Sequence, residues 1–210
     1  MSLNIFFLRH GETVASKTDD FCGTTDVELT PEGAMMAKDF AVAYKSVPWT
    51  AIFSSPMRRT IATAKPICDL VDIEMQLRNG LKEIDFGAWE NKSKAEVNRQ
   101  FHDDYVRWQS EPGWNAPPDG ERAIDIARRS SEVIEEIEKT YPEGNILIVS
   151  HKATIRIMLC SLLGIDVGRY RDRIDMPVAA VSVVELREQG PRLMRLSDRS
   201  HLNNESNQKS

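Results

Sequence analysis

With 210 residues and a net charge of -5, the chain lacks the lysine and arginine excess that a nucleic-acid coat or a basic membrane-binding face requires. Its 41% hydrophobic and 28% charged content fits one large domain with a sizeable core and excludes a disordered or fibrous chain. No apolar run reaches the ~18 residues that span a bilayer and no basic leader precedes a long apolar core, so the expected compartment is the cytoplasm. Cys22, Cys68 and Cys160 are widely spaced and odd in number, which argues for reduced thiols rather than a disulfide framework or a zinc site.

Leu3 to Leu8 is a continuous apolar run of the kind a strand covered on both faces shows, and Arg9-His10-Gly11-Glu12 follows it directly. After a polar loop, Thr30-Pro31-Glu32 reads as a helix start with threonine as cap, and Ala34, Ala37, Phe40, Ala41 and Tyr44 form its inward stripe. Pro48 ends that helix before a short buried strand, Trp49 to Ser54. A helix from Met57 through Leu70 carries an internal Pro66, where a kink is expected. Ile73 to Leu77 is a strand candidate, Gly80 to Trp89 a loop, and Lys92 to Gln109 a weakly amphipathic helix. The breaks at Glu111-Pro112-Gly113 and Ala116-Pro117-Pro118-Asp119-Gly120 mark residues 88–120 as a cap inserted over one end of the sheet.

Ala123 to Ile137 gives a long amphipathic helix that ends before Pro142. Asn145 to Ser150 repeats the form of the first strand and likewise delivers a histidine, His151. A helix ending at Gly164 and two strands, Val178 to Leu186 and Arg192 to Leu196, joined around Gln189-Gly190, complete the elements. The alternation predicts an α/β fold: a three-layer α/β/α sandwich with a mostly parallel central sheet and a short helical cap insertion. One domain is expected over residues 1–197, with a polar, flexible tail over 198–210.

In such a fold the carboxyl ends of the strands carry the site, so His10, the Ser54-Ser55 end and His151 are expected at one pocket. His102, in an acidic segment, and His201, in the tail, read as solvated. A lone histidine at a strand end is usually a satisfied core residue. Arg9 beside His10, Arg58-Arg59 after the second strand and His151 would instead gather cations that call for an anion, and guanidinium forks fit phosphate.

Five stretches in this order resemble the motifs of the histidine phosphatase superfamily, the phosphoglycerate-mutase-like proteins. They are Arg9-His10-Gly11-Glu12-Thr13, Leu29-Thr30-Pro31-Glu32-Gly33, Ser54-Ser55-Pro56-Met57-Arg58-Arg59, Leu81-Lys82-Glu83 with Gly87 and Trp89-Glu90, and Ser150-His151. The likeness runs from about Ile5 to Gly164. It implies a catalytic set of His10, Glu83, Arg9, Arg59 and His151. His10 would take the phosphoryl group as a phosphohistidine, with Arg9 and Arg59 disfavouring a protonated ring. Arg59 and His151 would hold the non-bridging oxygens, and Glu83 would protonate the leaving alkoxide and then help activate water. Arg58 would be a surface neighbour. No cofactor is implied, and the sequence shows no acidic metal cluster.

The chain departs from the pattern at several positions. Ala15-Ser16 stands where a tryptophan-asparagine pair is common, Cys22 where threonine often precedes the residue corresponding to Gly23, Lys152 where a glycine usually follows the second histidine, and Arg122 where a serine follows the residue corresponding to Glu121. Ser16, Cys22, Gly23 and Lys152 are expected on the substrate-binding side. Lys152 reads either as a water-facing first-turn helix residue or as an extra cation for an acidic substrate. Lys92, Trp89, Arg99, Arg107, Trp108 and Trp114 are candidates for the pocket mouth or for local packing.

The expected function is that of a metal-independent phosphomonoesterase acting on a small phosphorylated metabolite through a phosphohistidine. The alternatives are a cofactor-dependent mutase, for which only Arg99, Arg107 and the pair Arg128-Arg129 are available, and a non-catalytic phosphate- or phosphoprotein-binding module. The expected partner is the small phosphorylated substrate, with neither nucleic acid nor membrane; the sequence accommodates a monomer or an oligomer.

Overall fold

The computed structural model describes residues 2–202. Its elements are β1 (Leu3–Arg9), α1 (Val14–Thr18), α2 (Pro31–Tyr44), β2 (Trp49–Ser54), α3 (Arg58–Val71), β3 (Met75–Leu77), α4 (Lys94–Gln100), α5 (His102–Ser110), α6 (Ala123–Thr140), β4 (Gly144–Ser150), α7 (Lys152–Leu163), α8 (Tyr170–Arg173), β5 (Val181–Leu186) and β6 (Arg192–Asp198). One six-stranded sheet runs in the order β3-β2-β4-β1-β5-β6. The first four strands in that order are mutually parallel, β5 is antiparallel to β1, and β6 is antiparallel to β5.

Successive residues of a strand face opposite sides, and here both sides are apolar. Ile5, Phe7, Ala51, Phe53, Ile146 and Ile148 pack with Ile126, Ile134, Ile155 and Ile157 of α6 and α7. Leu8, Ile52, Leu147 and Val149 pack on the other side with Phe40, Ala41, Ala64 and Ile67 of α2 and α3. The result is the three-layer α/β/α sandwich. Thr30 caps α2 by accepting from the Gly33 N–H, with Pro31 at the first helical position.

As the sequence predicts, α3 runs through Pro66, and Ile67 and Cys68 beyond the proline remain in the core. Sequence and structure differ at three places that bear on the site. The expected helix over Lys92 to Gln109 is two helices, broken at Phe101, where φ is -135° and ψ is 40°. The break brings Val97 from α4 and Tyr105 and Trp108 from α5 onto Phe21 and Trp89, an aromatic cluster that roofs one side of the sheet's end. β5 starts at Val181 rather than Val178, because the preceding residues bond to the first motif: Ala179 N–H donates to the His10 carbonyl and Arg9 N–H to that of Ala180, both at 3.1 Å.

The third difference is the chain after Ser197. Asp198 closes β6, Leu202 is buried with Met36, Val178 and Ala179, and the His201 ring packs edge-on against Phe40 and Tyr44. His201 is therefore not a solvated side chain. The rest of the expected tail, 203–210, lies outside the described residues. Among the described residues no helix is long and apolar enough to cross a membrane.

Candidate active site

β1 and β4 pair in a register that sets Arg9 opposite Ser150, so His10 and His151 leave neighbouring strands at one level. The His10 N–H donates to the Ser150 carbonyl at 3.0 Å, and the two imidazoles lie 5.3 Å apart between centroids. β2 ends beside them, with Ser55 N–H bonded to the Val149 carbonyl, and α3 begins four residues later with Arg59 in its first turn.

His10 is buried and its Nδ1 lies 2.7 Å from its neighbour Gly11's carbonyl, so Nδ1 carries the proton and Nε2 keeps a free lone pair. Burial, then Arg9, then Arg59 push this ring's pKa well below 6.5. The ring is therefore uncharged at ordinary pH. Arg9 donates from Nη1 to the Met176 carbonyl at 2.7 Å, while its buried Nε finds no partner. Burial pulls the Arg9 guanidinium down to about 10, partly offset by Glu83.

Arg59 is almost wholly buried and its fork is divided among three acceptors: Nε to His151 Nδ1 at 3.2 Å, Nη1 to the Thr25 carbonyl and Nη2 to the Gly23 carbonyl, both at 2.9 Å. One hydrogen on each Nη remains for an anion. The bond to His151 Nδ1 leaves the proton on Nε2, which faces Ser55 Oγ at 2.9 Å. Burial, then Arg59, then His10 lower the His151 pKa well below 6.5. His151 thus lies behind the cavity with both ring nitrogens engaged, whereas Arg9, His10, Arg59 and Glu83 line it.

Glu83 reaches the start of α7, whose N-cap residue His151 offers no side-chain cap. Its carboxylate accepts from the N–H groups of Ala153 and Thr154, both at 3.1 Å, and from its neighbour Ile84 at 3.0 Å. A helix N-terminus is a natural seat for a carboxylate. Arg129 fixes the loop before it, donating to the carbonyls of Gly80, Lys82 and Glu83 while pairing with both oxygens of Glu121.

The first two motifs are bound by close backbone contact. A Cβ on Gly11 would lie 2.4 Å from the Gly33 carbonyl oxygen, and one on Gly33 would lie 2.1 Å from that of Glu12. Glu12 is buried and accepts from the Thr30 hydroxyl at 2.7 Å and Lys17 at 3.0 Å, so it anchors α2 rather than facing the cavity.

Glu90 does more than mark a motif. Its carboxylate accepts from the N–H groups of Gly23, Thr24, Thr25 and Phe86 and from the Thr25 hydroxyl. Residues 23–25 are thereby gripped on the N–H side by Glu90 and on the carbonyl side by Arg59. Sequence reasoning gave Glu90 and Arg129 no such work, because their partners are main-chain groups of loops.

The cavity, about 250 Å³, is also lined by Ser16, Asp19, Cys22, Lys94, Trp108, Lys152, Arg156 and Arg171. Ser16 reaches the cavity, but its hydroxyl is engaged with Thr13, accepting from that N–H and donating to that carbonyl, both at 2.8 Å. The Cys22 Sγ contacts the Thr25 carbonyl at 3.6 Å, and burial raises its thiol pKa. Gly23 is not on the wall; a Cβ there would lie 1.8 Å from the Ile84 carbonyl oxygen. Lys152 is on the wall, 3.5 Å from Asp19. Of the aromatic and basic cap candidates, Trp108 lines the cavity and Trp89 is sealed in the aromatic cluster. Lys92, Arg99, Arg107 and Trp114 lie off the cavity wall. Arg122 pairs with Asp125, and Arg128 is exposed. Among the described residues no three His, Cys, Asp or Glu side chains converge as a metal site.

A neutral imidazole nitrogen, two guanidinium groups and a carboxylate around one cavity can receive a tetrahedral oxyanion and exchange a proton with it. Residues 5–199 match the family model described as the histidine phosphatase superfamily, branch 1. Phosphoserine phosphatase 1 of Hydrogenobacter thermophilus is 28% identical over 200 residues, covering 95% of this chain and 94% of its own. The adenosylcobalamin/alpha-ribazole phosphatase of Salmonella typhimurium is 25% identical over 161 residues, 77% of this chain and 80% of its own. A mycobacterial glucosyl-3-phosphoglycerate phosphatase shares the fold with a TM-score of 0.87 at 22% identity, over 95% of this chain and all of its own.

Proposed function

The chain belongs to the histidine phosphatase superfamily, and from that premise we propose that it is a phosphomonoesterase that hydrolyses a small phosphorylated metabolite in the cytoplasm through a phosphohistidine. The carrying observation is His10: uncharged, held by its Nδ1 on the Gly11 carbonyl, with Nε2 free at the cavity floor. In this reading Nε2 attacks phosphorus as the ester P–O bond breaks, and the leaving alkoxide takes a proton from Glu83. Water then attacks the phosphohistidine, its proton passes to the Glu83 carboxylate, and the P–N bond breaks. Arg9 and the two spare Arg59 donors meet the charge on the transferring group. His151 orients Arg59 through the Nδ1 bond and reaches the phosphoryl group only if that bond or the one to Ser55 opens.

Thr154 helps to hold Glu83 in place: its hydroxyl lies 2.7 Å from the Lys82 carbonyl and 3.1 Å from Glu83 Oε1, two acceptors that share its one hydrogen. A mutase is less well supported: Arg129 is spent on Glu121 and loop carbonyls, and Arg99, Arg107 and Arg128 stand away from the cavity.

The test is hydrolysis of an aryl phosphate by purified protein with and without His10→Ala. A loss of at least about a thousandfold, roughly 4 kcal/mol of barrier, is expected together with loss of an acid-labile phosphoenzyme. Equal rates would overturn the nucleophile assignment. Activity unchanged by a strong chelator is the second expected result.

A further inference from the structure

Resting on the phosphatase reading, we propose that Lys152, Arg156 and Arg171 form a second anion subsite in the same cavity. The preferred substrate is then a short-chain phosphomonoester whose alcohol portion carries a carboxylate. Lys152 and Arg156 are four residues apart on α7, so they share a face about one helical turn, ~5.4 Å, apart. That face starts immediately after His151 and beside the seat of Glu83. An anion bound there shares one cavity with His10, Arg59 and Glu83.

The cations are placed rather than loose. Arg156 donates from Nε to the Ile174 carbonyl and from Nη2 to that of Arg171, leaving Nη1 without a hydrogen bond. Arg171 stacks on the Trp108 ring, 3.9 Å from its centroid. Among the described residues neither arginine makes an ion pair. Among the described residues Lys152 pairs only with Asp19, which Lys94 also holds. Burial lowers the pKa values of both Lys152 and Arg156, with Arg9 adding to the effect on Lys152. Desolvated cations short of counter-charge are costly, and a bound anion relieves the cost.

Around the mouth stand Lys94, Lys152, Arg156 and Arg171 with Asp19, Asp20 and Asp172. Asp19 holds both lysines and Asp172 pairs with Arg169, so the uncompensated charge sits on Arg156 and Arg171. The unbonded Nη1 of Arg156, one turn from the Lys152 ammonium, offers donors for one two-oxygen group, which a carboxylate supplies. Guanidinium and ammonium donors from two elements also suit the two oxygens of a carboxylate.

Three substrates on one carbon skeleton test this: phosphorylated 3-hydroxypropanoate, propane-1,3-diol monophosphate and propane-1,3-diol bisphosphate, with an aryl phosphate as reference. The parent enzyme is expected to favour the carboxylate over the diol monophosphate at least tenfold in kcat/KM, mainly through KM. Lys152→Met is expected to reduce that ratio at least fivefold, and Lys152→Arg to restore most of it. A parent ratio near one with the aryl phosphate still hydrolysed, or a ratio unmoved by Lys152→Met, would overturn the subsite and leave the phosphatase reading standing. A preference for the bisphosphate would overturn the carboxylate assignment. Failure to hydrolyse the aryl phosphate would overturn the phosphatase reading and this inference with it.

Discussion

At the floor of the cavity Arg9, His10, Arg59, Glu83 and His151 are each less than a tenth exposed, and their hydrogen bonds run to main-chain groups, to one another and to the hydroxyls of Ser55 and Thr154. At its mouth Asp19, Lys94 and Lys152 are 55%, 54% and 38% exposed and bond as side-chain ion pairs. The two regions touch the same space under different physics. Burial fixes the charge state and position of a floor residue, so its partners are costly to remove. Solvent screens the mouth pairs, each worth at most about 1 kcal/mol, so they can exchange one anion for another. Chemistry belongs on the first kind of surface, selection on the second.

The strongest test of that contrast after His10 is Arg59→Lys. An ammonium cannot serve His151 and two loop carbonyls while also facing an anion. A fall in kcat of about a thousandfold, roughly 4 kcal/mol, is expected in steady-state kinetics. A fall below tenfold would show that the fork is dispensable. Next comes Arg129→Met, which touches no substrate but frees the carbonyls of Gly80, Lys82 and Glu83. A misplaced Glu83 should cost up to about a hundredfold in kcat with little change in KM. An equal effect on both parameters would mean that Arg129 acts by another route.

The contrast also explains what could be read from the sequence. Ile5 to Leu8 and Ile146 to Val149 are buried on both faces and announce themselves as parallel strands, so the residues after them, His10 and His151, were placed at one sheet edge. Glu90 and Arg129 were not legible in their roles, because main-chain N–H and carbonyl groups of distant loops leave no mark in composition or period. The glycines of the first two motifs were visible, but not that Gly11 and Gly33 lie against one another. At the mouth, Ser16, Cys22 and Lys152 do line the cavity, while the pairing of Asp19 with both Lys94 and Lys152 arises only when α1, α4 and α7 meet. Phe101 has no breaker chemistry; the aromatic cluster, not the local sequence, divides the cap helix there.

The buried floor also has a pH signature. His10 and His151 titrate well below the ordinary 6.5, chiefly through burial, and His201 is lowered too. Below pH 6.5 the unfolded chain therefore takes up protons that the folded one refuses. Their contribution is complete above about pH 6.5 and is lost as the pH falls, by up to about 1.4 kcal/mol per pH unit for each ring. Urea midpoints should drop between pH 7 and pH 5, before carboxylates titrate. A flat profile would mean that the folded chain accommodates the protonated rings.

The smallest effect is expected from Ser16→Ala, on the mouth side but with its hydroxyl already committed. That hydroxyl closes a capping box with Thr13 at the head of α1, a five-residue helix with no buried side chain. Removing it loosens a short surface turn and takes no hydrogen bond from the floor, whose contacts are made by other residues. A change of less than about threefold in kcat/KM, under roughly 0.7 kcal/mol, should follow. A tenfold rise in KM would mean that the Ser16 hydroxyl leaves Thr13 for the substrate, and the boundary between catalytic floor and selective mouth would have to be moved outward to include α1.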